Sequence, residues 1–247
     1  MAKRKKPTVA LIYDFDGTLS PANMQEYDFL KAIGIKNKAQ FWRQNNELIE
    51  KHEASNILCY MKLMLDKARA AGVSVQRQKF VDFGKSIELY EGVEEWFDLI
   101  NQLGQEEGVI IQHYINSSGL KEMIEGTKIG NKFQEIYACT FMYEDGVAVW
   151  PAVAVDFTTK TQFLFMINKG VTKISENAKI NEYKAEDSEM KIKISTDSTC
   201  DLPAELIAAH DIGVQPLYII RDGEALRDGI DVTPDDLYAY TKETGKL

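Results

Sequence analysis

The feature that most constrains this chain is an apolar run that ends in two aspartates. Val9–Tyr13 is followed by Asp14, Phe15, Asp16 and then Gly17–Thr18. A short apolar run closed by turn-forming residues is typical of a buried strand in a parallel sheet, and ligands of open α/β sheets bind beyond the carboxyl ends of such strands. Two carboxylates at that position repel each other and lose hydration, so they require a cation or a shared proton. The pattern predicts a functional site rather than an ordinary Asp-Gly turn.

Composition sets few limits beyond those of an ordinary globular protein. The chain has 247 residues, of which 45% are hydrophobic and 27% charged, enough for one domain with or without an insertion. Its net charge of −9 argues against nucleic acid as the main partner, because phosphate backbones bind basic surfaces. The basic cluster Lys3–Lys6 lacks the apolar region of a signal peptide, and no apolar stretch approaches the ~20 residues that span a bilayer. We therefore expect a cytoplasmic protein with no nucleic-acid or membrane partner; the sequence leaves its oligomeric state open.

The region after the first strand changes to a helical pattern. Residues 21–86 carry apolar side chains at three- and four-residue intervals, as amphipathic helices require, and Leu58, Met61 and Leu65 show this spacing clearly. Beyond residue 86, short apolar runs alternate with helical segments, which predicts an α/β fold. The elements predicted there are strands at 109–116 and 136–139, a hairpin at 141–150, and helices at 94–103, 120–125 and 162–169.

The motif DFDGTL at Asp14–Leu19 resembles the first motif of the haloacid dehalogenase (HAD) superfamily, most of whose members are Mg-dependent phosphatases. The resemblance implies that Asp14 is the catalytic nucleophile and that Asp16 is the general acid/base. It also implies that Thr18 contributes to phosphate binding. The chemistry then requires a hydroxyl or amide for the phosphoryl oxygens, a cation beside them and further carboxylates for the metal.

The same resemblance implies a fold and a domain organisation. The fold class is α/β, a Rossmann-like parallel sheet with helices on both faces. An insertion directly after the first strand is a cap in HAD proteins, where it covers the active site and selects the substrate. We therefore expect an HAD-like core of residues 1–20 and 87–188, with an α-helical cap of residues 21–86.

The second apolar strand ends in small polar residues. Tyr114–Gly119, read as YINSSG, resembles the second HAD motif, an apolar strand that ends in Ser or Thr. Ser117 is the predicted ligand of the phosphoryl oxygens, and Ser118 is the competing choice for the same role. The alternative is that Ser-Ser-Gly simply caps the following helix.

Lys160 is the predicted cation. It stands at a predicted helix start, where a positive charge is disfavoured by the helix dipole unless an anion pairs with it. The run Asp156–Thr161 resembles the lysine motif of HAD members of the phosphoserine-phosphatase type. The resemblance implies that Lys160 is catalytic and binds phosphate; Lys169 is the second choice.

The last motif of that type, GDGxTD, is replaced. Where it is expected the chain reads ISTDSTCDLP at Ile194–Pro203, which resembles the opening of the DegV family of fatty-acid-binding proteins. The resemblance continues through Asp228–Asp231 to the last residues. The chain thus resembles a phosphoserine-phosphatase-like HAD protein over residues 1–188 and the N-terminal part of a DegV protein over residues 190–247, with a junction near residue 189.

Asp197 and Asp201 stand four residues apart, the interval between the two acids of GDGxTD. A strand–helix–strand pattern surrounds them, with strands predicted at 191–194 and 214–220 and a helix at 204–210. One interpretation is that the DegV-like segment, residues 189–247, completes the core sheet and supplies the missing carboxylates. The predicted Mg²⁺ ligands are then Asp14, Asp16, Asp197 and Asp201. Both glycines of the motif are replaced, and the alternative is that Asp197 and Asp201 only cap the next helix.

Three functions follow from these observations. The first is an Mg-dependent phosphatase of the HAD type that hydrolyses a small phosphomonoester through an aspartyl-phosphate intermediate. The second is a fragment of a DegV-type lipid-binding protein, whose C-terminal segment binds a fatty acid. The third is a catalytically impaired fusion of the two families. The phosphatase is favoured because a nucleophile, an acid/base, a hydroxyl and a cation all occur at suitable positions.

Overall fold

The structure is a computed structural model that divides into two compact units after Met190. The residues it describes are 6–181, 195–197, 204–209, 213–221 and 224–245. Within these ranges no helix combines the length and the apolar character needed to cross a membrane.

The first unit is built on a four-stranded sheet with the strand order β1-β2-β3-β4. The strands are β1 (Thr8–Tyr13), β2 (Ile110–Leu120), β3 (Glu135–Glu144) and β4 (Val147–Val153). Strands β1, β2 and β3 are parallel, and β4 is antiparallel to β3. The β3–β4 hairpin turns at Asp145 and Gly146, which both have positive φ, as a two-residue hairpin turn requires. The predicted α/β class is confirmed.

Between β1 and β2 the regular elements are helices and a 3₁₀ turn, joined by loops. The helices of the first unit are α1 (Asp28–Ala32), α2 (Lys38–His52), α3 (Asn56–Ala70), α4 (Arg77–Gly84), α5 (Val93–Glu106), α6 (Lys121–Glu125) and α7 (Lys160–Asn168), with 3₁₀ turns at Met24–Glu26, Gly130–Lys132 and Ile174–Asn181. The first four helices share one apolar core with the sheet. Phe29, Phe41 and Met64 of the helices are fully buried in the same cluster of apolar side chains as Phe15 and Ile115.

Hydrogen bonds fasten the helical segment to the β3–β4 hairpin. The Arg69 guanidinium donates to the carbonyl of Ala148 at 2.9 Å, and the Ala148 N–H donates to the carbonyl of Val75 at 2.8 Å. The Arg77 N–H donates to the carbonyl of Gly146 at 2.9 Å. Since two of these three hydrogen bonds join backbone groups at both ends, the helical segment has a defined position over the hairpin.

Two predicted boundaries in the first unit are wrong. Strand β2 does not end at residue 116 but continues through Ser117–Gly119 to Leu120, which pairs with Cys139 after an irregularity in the ladder. The following helix accordingly starts at Lys121. The strands predicted at 136–139 and 141–143 are one continuous strand, β3, because buried residues persist from Ile136 through Phe141.

The second unit holds two small sheets. Strand β5 (Ser195–Asp197) connects through α8 (Ala204–Ala209) to β6 (Gly213–Gln215), and β5 and β6 are parallel. Strands β7 (Tyr218–Arg221) and β8 (Glu224–Arg227) form an antiparallel pair, and α9 (Pro234–Thr244) follows. Helix α9 begins with a reciprocal capping box between Thr233 and Asp236.

The strand predicted at 214–220 is wrong as a single element. The structure has β6 and β7 instead, separated by Pro216 and Leu217. Proline has no N–H to donate to a ladder and is excluded from strand interiors for that reason. The strand predicted at 191–194 lies outside the described residues.

Candidate active site

The turn after β1 exposes two carboxylates on one side of the chain. Phe15 lies between them and is fully buried, and its carbonyl accepts hydrogen bonds from the N–H groups of Thr18, Leu19 and Ser20 at 3.2, 2.8 and 3.1 Å. Gly17 has φ +78°, a conformation that residues with a Cβ rarely adopt. Because alternate residues of an extended chain point to opposite faces, burial of Phe15 directs Asp14 and Asp16 away from the core.

Asp14 is held by a backbone donor and a lysine. Its Oδ1 accepts from the Phe15 N–H at 2.8 Å, and its Oδ2 accepts from Lys160 Nζ at 2.6 Å. The side chains of Asp14 and Lys160 are 42% and 26% exposed, so the ion pair is open to a ligand from one side. Charge-assisted hydrogen bonds of this length are among the stronger polar contacts in proteins.

Two contacts set the position of Lys160 at the first residue of α7. Asp156 Oδ1 accepts from the Thr158 and Thr159 N–H groups at 2.9 and 2.8 Å, and the Asp156 carbonyl accepts from the Lys160 N–H at 3.0 Å. From the neighbouring strand, Asn116 Nδ2 donates to the Lys160 carbonyl at 2.9 Å. The start of α7 is therefore held against Asn116 of β2.

Asp16 is the more buried of the two carboxylates. Its Oδ1 accepts from the Met24 N–H at 3.1 Å. Burial is the main cause that raises the pKa of the Asp16 carboxyl to about 7; the Asp14 carboxylate also raises it, whereas the bond from Met24 opposes the shift. A group with a pKa near the working pH both donates and accepts protons readily.

The end of β2 brings small residues against the carboxylates. Ser117 is 1% exposed and its Oγ accepts from the Gly119 N–H at 3.1 Å. The Ser118 carbonyl accepts from the Tyr60 hydroxyl at 2.6 Å, which ties the strand to α3. A Cβ on Gly119 would stand 2.1 Å from Met24 Cε and 3.3 Å from Asp16 Oδ2. A Cβ at this position would therefore have to displace the buried Met24 side chain, whereas glycine leaves it in place.

These elements enclose a cleft of about 380 Å³. Its lining residues are Asp14, Asp16, Asn23, Gln25, Trp42, Asn56, Ile57, Tyr60, Ser117, Ser118 and Gly119. Of the residues predicted from the sequence, Asp14, Asp16, Ser117 and Ser118 line it, and Lys160 reaches it through Asp14. Thr18 is exposed in the turn and is not among the lining residues.

The polar residues of the opposite wall carry no recognisable signal in the sequence. Asn23, Gln25 and Asn56 lie in the helical segment, where an isolated amide side chain looks like ordinary surface. The sequence predicts Asn116 only as part of a strand. In the structure its side chain donates a hydrogen bond to the backbone at the start of α7. Only the folded chain brings these four residues to the cleft and its edge.

The donor set at the turn fits Mg²⁺. In the ranges that the structure describes, no group of three or more His, Cys, Asp and Glu side chains has the arrangement to hold a metal. Mg²⁺ is commonly held by one or two carboxylates, with waters and other oxygens completing its shell; Asp14 would supply one carboxylate, and the Asp16 backbone carbonyl would supply a further oxygen. Burial is the main cause of the raised pKa of Asp16, and the Asp14 carboxylate adds to it; a cation between the two residues would relieve that added repulsion. Asp197 lies on β5, but its side chain is not described, and Asp201 lies outside the described residues.

Comparison with known proteins gives a family match for the C-terminal segment of the chain. Residues 191–247 match the family model described as "Uncharacterised protein, DegV family". A DegV domain-containing protein of Mycobacterium bovis is 45% identical over 49 residues, which cover 20% of this chain and 18% of that protein. The chain thus spans less than a fifth of the length of this relative.

Other comparisons extend over most of the chain. An uncharacterised protein of Borreliella burgdorferi is 29% identical over 222 residues, which cover 79% of this chain and 76% of that protein. The crystal structure of a Bordetella pertussis protein of unknown function has a TM-score of 0.50 at 14% identity, covering 85% of this chain and 98% of its own, and shows a shared fold. A phosphoserine phosphohydrolase-like protein of Francisella tularensis is similar over 84% of both chains, with 16% identity and a TM-score of 0.43. Of the two resemblances noted in the sequence, the one to the DegV family is matched by the family model over residues 191–247.

Proposed function

We propose that this protein is a phosphomonoester hydrolase whose nucleophile is Asp14. The observation that carries the proposal is the 2.6 Å contact between Lys160 Nζ and Asp14 Oδ2 beside a second carboxylate, Asp16, whose pKa is about 7. A carboxylate, a proton carrier and a cation at one strand end are the groups that phosphoryl transfer through a covalent intermediate requires.

In the first step an Asp14 carboxylate oxygen attacks phosphorus, and the bond from phosphorus to the ester oxygen breaks. Protonated Asp16 gives its proton to that departing oxygen, so the alcohol leaves neutral. Lys160 offsets the negative charge on the phosphoryl oxygens, and Ser117 Oγ donates a hydrogen bond to one of them. The product of this step is an acyl phosphate on Asp14.

In the second step a water oxygen attacks phosphorus and the bond to Asp14 breaks. Asp16, now a carboxylate, takes a proton from that water, which returns both residues to their starting states and releases inorganic phosphate. Mg²⁺, which the Asp14 carboxylate and the Asp16 backbone carbonyl are expected to hold, supplies positive charge near the phosphoryl oxygens when bound. The assignment of Asp197 and Asp201 as further metal ligands stays a prediction.

The test is hydrolysis of p-nitrophenyl phosphate by the full chain with Mg²⁺. Asp14→Asn keeps the size of the side chain but removes the nucleophile, and we expect turnover to fall by about 10³-fold or more, since loss of one triad member elsewhere costs 10⁴-fold or more. Asp66→Asn is the matched control, because Asp66 is an exposed acid on α3 paired with Lys62. Undiminished turnover by Asp14→Asn overturns the assignment.

A second candidate function rests on the match of residues 191–247 to the DegV family. Under it the segment binds a fatty acid as part of a DegV-type protein. The match covers only a small part of such proteins, which argues against a complete lipid site. Extraction and mass spectrometry of the purified protein test this candidate: a stoichiometric fatty acid supports it, and an empty protein counts against it. Absence of both lipid and phosphatase activity supports the impaired fusion.

A further inference from the structure

The cleft has two chemically different walls. Asp14, Asp16 and the end of β2 at Ser117–Gly119 form one wall, where the phosphoryl group is expected. The helical segment forms the other wall, and its lining residues are Asn23, Gln25, Trp42, Asn56, Ile57 and Tyr60. The second wall faces the part of a substrate that lies beyond phosphorus, which is the leaving alcohol.

The second wall carries amides, hydroxyl and aromatic groups but, among its lining residues, no charged side chain. Glu26, which is bonded to this wall, is already neutralised. Its Oε1 accepts from Asn23 Nδ2 at 2.9 Å and from Trp42 Nε1 at 2.8 Å, and its Oε2 accepts from Lys38 Nζ at 2.8 Å. An ammonium or carboxylate on the alcohol would lose hydration there without gaining an opposite charge. The wall therefore favours an uncharged leaving group.

Gln25 is a buried polar side chain whose amide oxygen has no hydrogen-bond partner among the described residues. It is 2% exposed and lines the cleft. A buried amide oxygen left without a partner destabilises the folded protein, so such a group in a binding cleft indicates a bond to the ligand. Asn56 Oδ1 accepts from Asn45 Nδ2 at 2.6 Å, which orients a second amide at the same wall.

We infer that the cleft accepts the phosphomonoester of a small, uncharged polyhydroxylated alcohol, and that Gln25 is a specificity-determining residue that binds one of its hydroxyls. Amides donate and accept, as hydroxyls do, so the two pair without a change of protonation. The inference rests on the proposed phosphatase function and adds the class of substrate to it.

The test compares kcat/KM of the full chain with Mg²⁺ across a panel of esters. The panel contains glycerol 3-phosphate, ribose 5-phosphate, glucose 6-phosphate, O-phosphoserine, O-phosphoethanolamine and p-nitrophenyl phosphate. We expect at least one polyol phosphate to exceed both charged amino esters by about tenfold or more, the factor that one hydrogen bond to a buried group supplies.

Gln25→Met removes the amide and keeps the length of the side chain. It is expected to lower kcat/KM for the best polyol phosphate by about tenfold through KM, and to lower it by a smaller factor for p-nitrophenyl phosphate, whose leaving group carries no further hydroxyl. Gln44→Met is the matched control, because Gln44 Oε1 is also buried and unpaired within the described residues but Gln44 does not line the cleft. If Gln25→Met fails to fold, Asn56→Ala takes its place, since Asn56 is exposed.

The possible outcomes distinguish a failure of the substrate-class inference from a failure of the proposed phosphatase function. Preference for O-phosphoserine or O-phosphoethanolamine overturns the inference and leaves the phosphatase standing. So does an equal loss by Gln25→Met on every ester, including p-nitrophenyl phosphate. Failure to hydrolyse any ester overturns the proposed function, and the inference falls with it.

Discussion

Lys160 Nζ donates a 2.6 Å hydrogen bond to Asp14 Oδ2, although the two residues are 146 positions apart in the chain. One stands at the start of α7 and the other directly after β1. The contact therefore brings distant parts of the first unit together at the cleft. It also places the positive charge of Lys160 where it would contact a phosphoryl group bound at Asp14. The predictions below follow from this pair and its surroundings.

Lys160→Met is expected to lower kcat for p-nitrophenyl phosphate by about 10²–10³-fold, the usual cost of removing one donor that stabilises transition-state charge. Methionine keeps the unbranched chain and removes the charge. Lys169→Met, at the other end of α7, is the control and should retain activity. The reverse pattern, with Lys169→Met inactive, would transfer the role to Lys169.

Asp16→Asn should affect substrates according to their leaving groups. An alkyl phosphate such as glycerol 3-phosphate needs a proton on its departing oxygen, whereas p-nitrophenolate leaves without one. We expect the variant to lose at least tenfold more activity on the alkyl ester. Equal losses on both esters would show that Asp16 does not act as the acid.

The wild-type pH profile follows from the same carboxyl. Its pKa of about 7 lies above the ordinary value because of burial, so the protonated form that serves as the acid is present below pH 7 and is lost as the pH rises through it. The rate of alkyl ester hydrolysis, with phosphoryl transfer limiting, should therefore decline above about pH 7. A flat profile to pH 9 would contradict this role.

Gly119→Ala is expected to destabilise the protein by about 1–3 kcal/mol and to reduce activity, because the added Cβ would meet Met24 Cε at 2.1 Å and crowd Asp16 Oδ2. Denaturant unfolding measures the change. Met24→Ala in the Gly119→Ala background removes the obstructing atoms, so the two substitutions should be less than additive. Strict additivity would mean that the contact with Met24 is not what disfavours a Cβ at this position.

The role predicted for Asp197 and Asp201 is tested by metal titration. If either carboxylate binds Mg²⁺, its replacement by asparagine should raise the Mg²⁺ concentration for half-maximal activity by about tenfold, the smaller of the usual effects on metal affinity. Asp228→Asn is a control within the DegV-like segment. Unchanged titrations in both variants would leave these acids as helix-capping residues.

The candidate site residues that stand beside a strand end or a helix start could be predicted from the sequence. Asp14, Asp16 and Lys160 each follow a recognisable strand end or helix start, and parallel strands bring their carboxyl ends to one edge of a sheet. The length of β2 could not be predicted in the same way. Small polar residues are typical of turns, and β2 extends past Ser117–Gly119 because Leu120 pairs again with β3 beyond an irregularity in the ladder.

The helical wall of the cleft was beyond sequence analysis for a different reason. Gln25 and Asn56 are 31 residues apart, and neither stands in a motif. Their proximity to the cleft depends on how α2 and α3 pack over the sheet, a tertiary result that periodicity does not encode. The break between β6 and β7 was foreseeable, since Pro216 stands in the middle of the predicted strand.

The central claim is that Asp14 becomes covalently phosphorylated. Rapid acid quenching during turnover of a phosphomonoester, followed by proteolysis and mass spectrometry, measures this directly. The account predicts one added phosphoryl group on the peptide that contains Asp14, and its loss in Asp14→Asn. A phosphoryl group on another residue, or continued hydrolysis by Asp14→Asn, would contradict it.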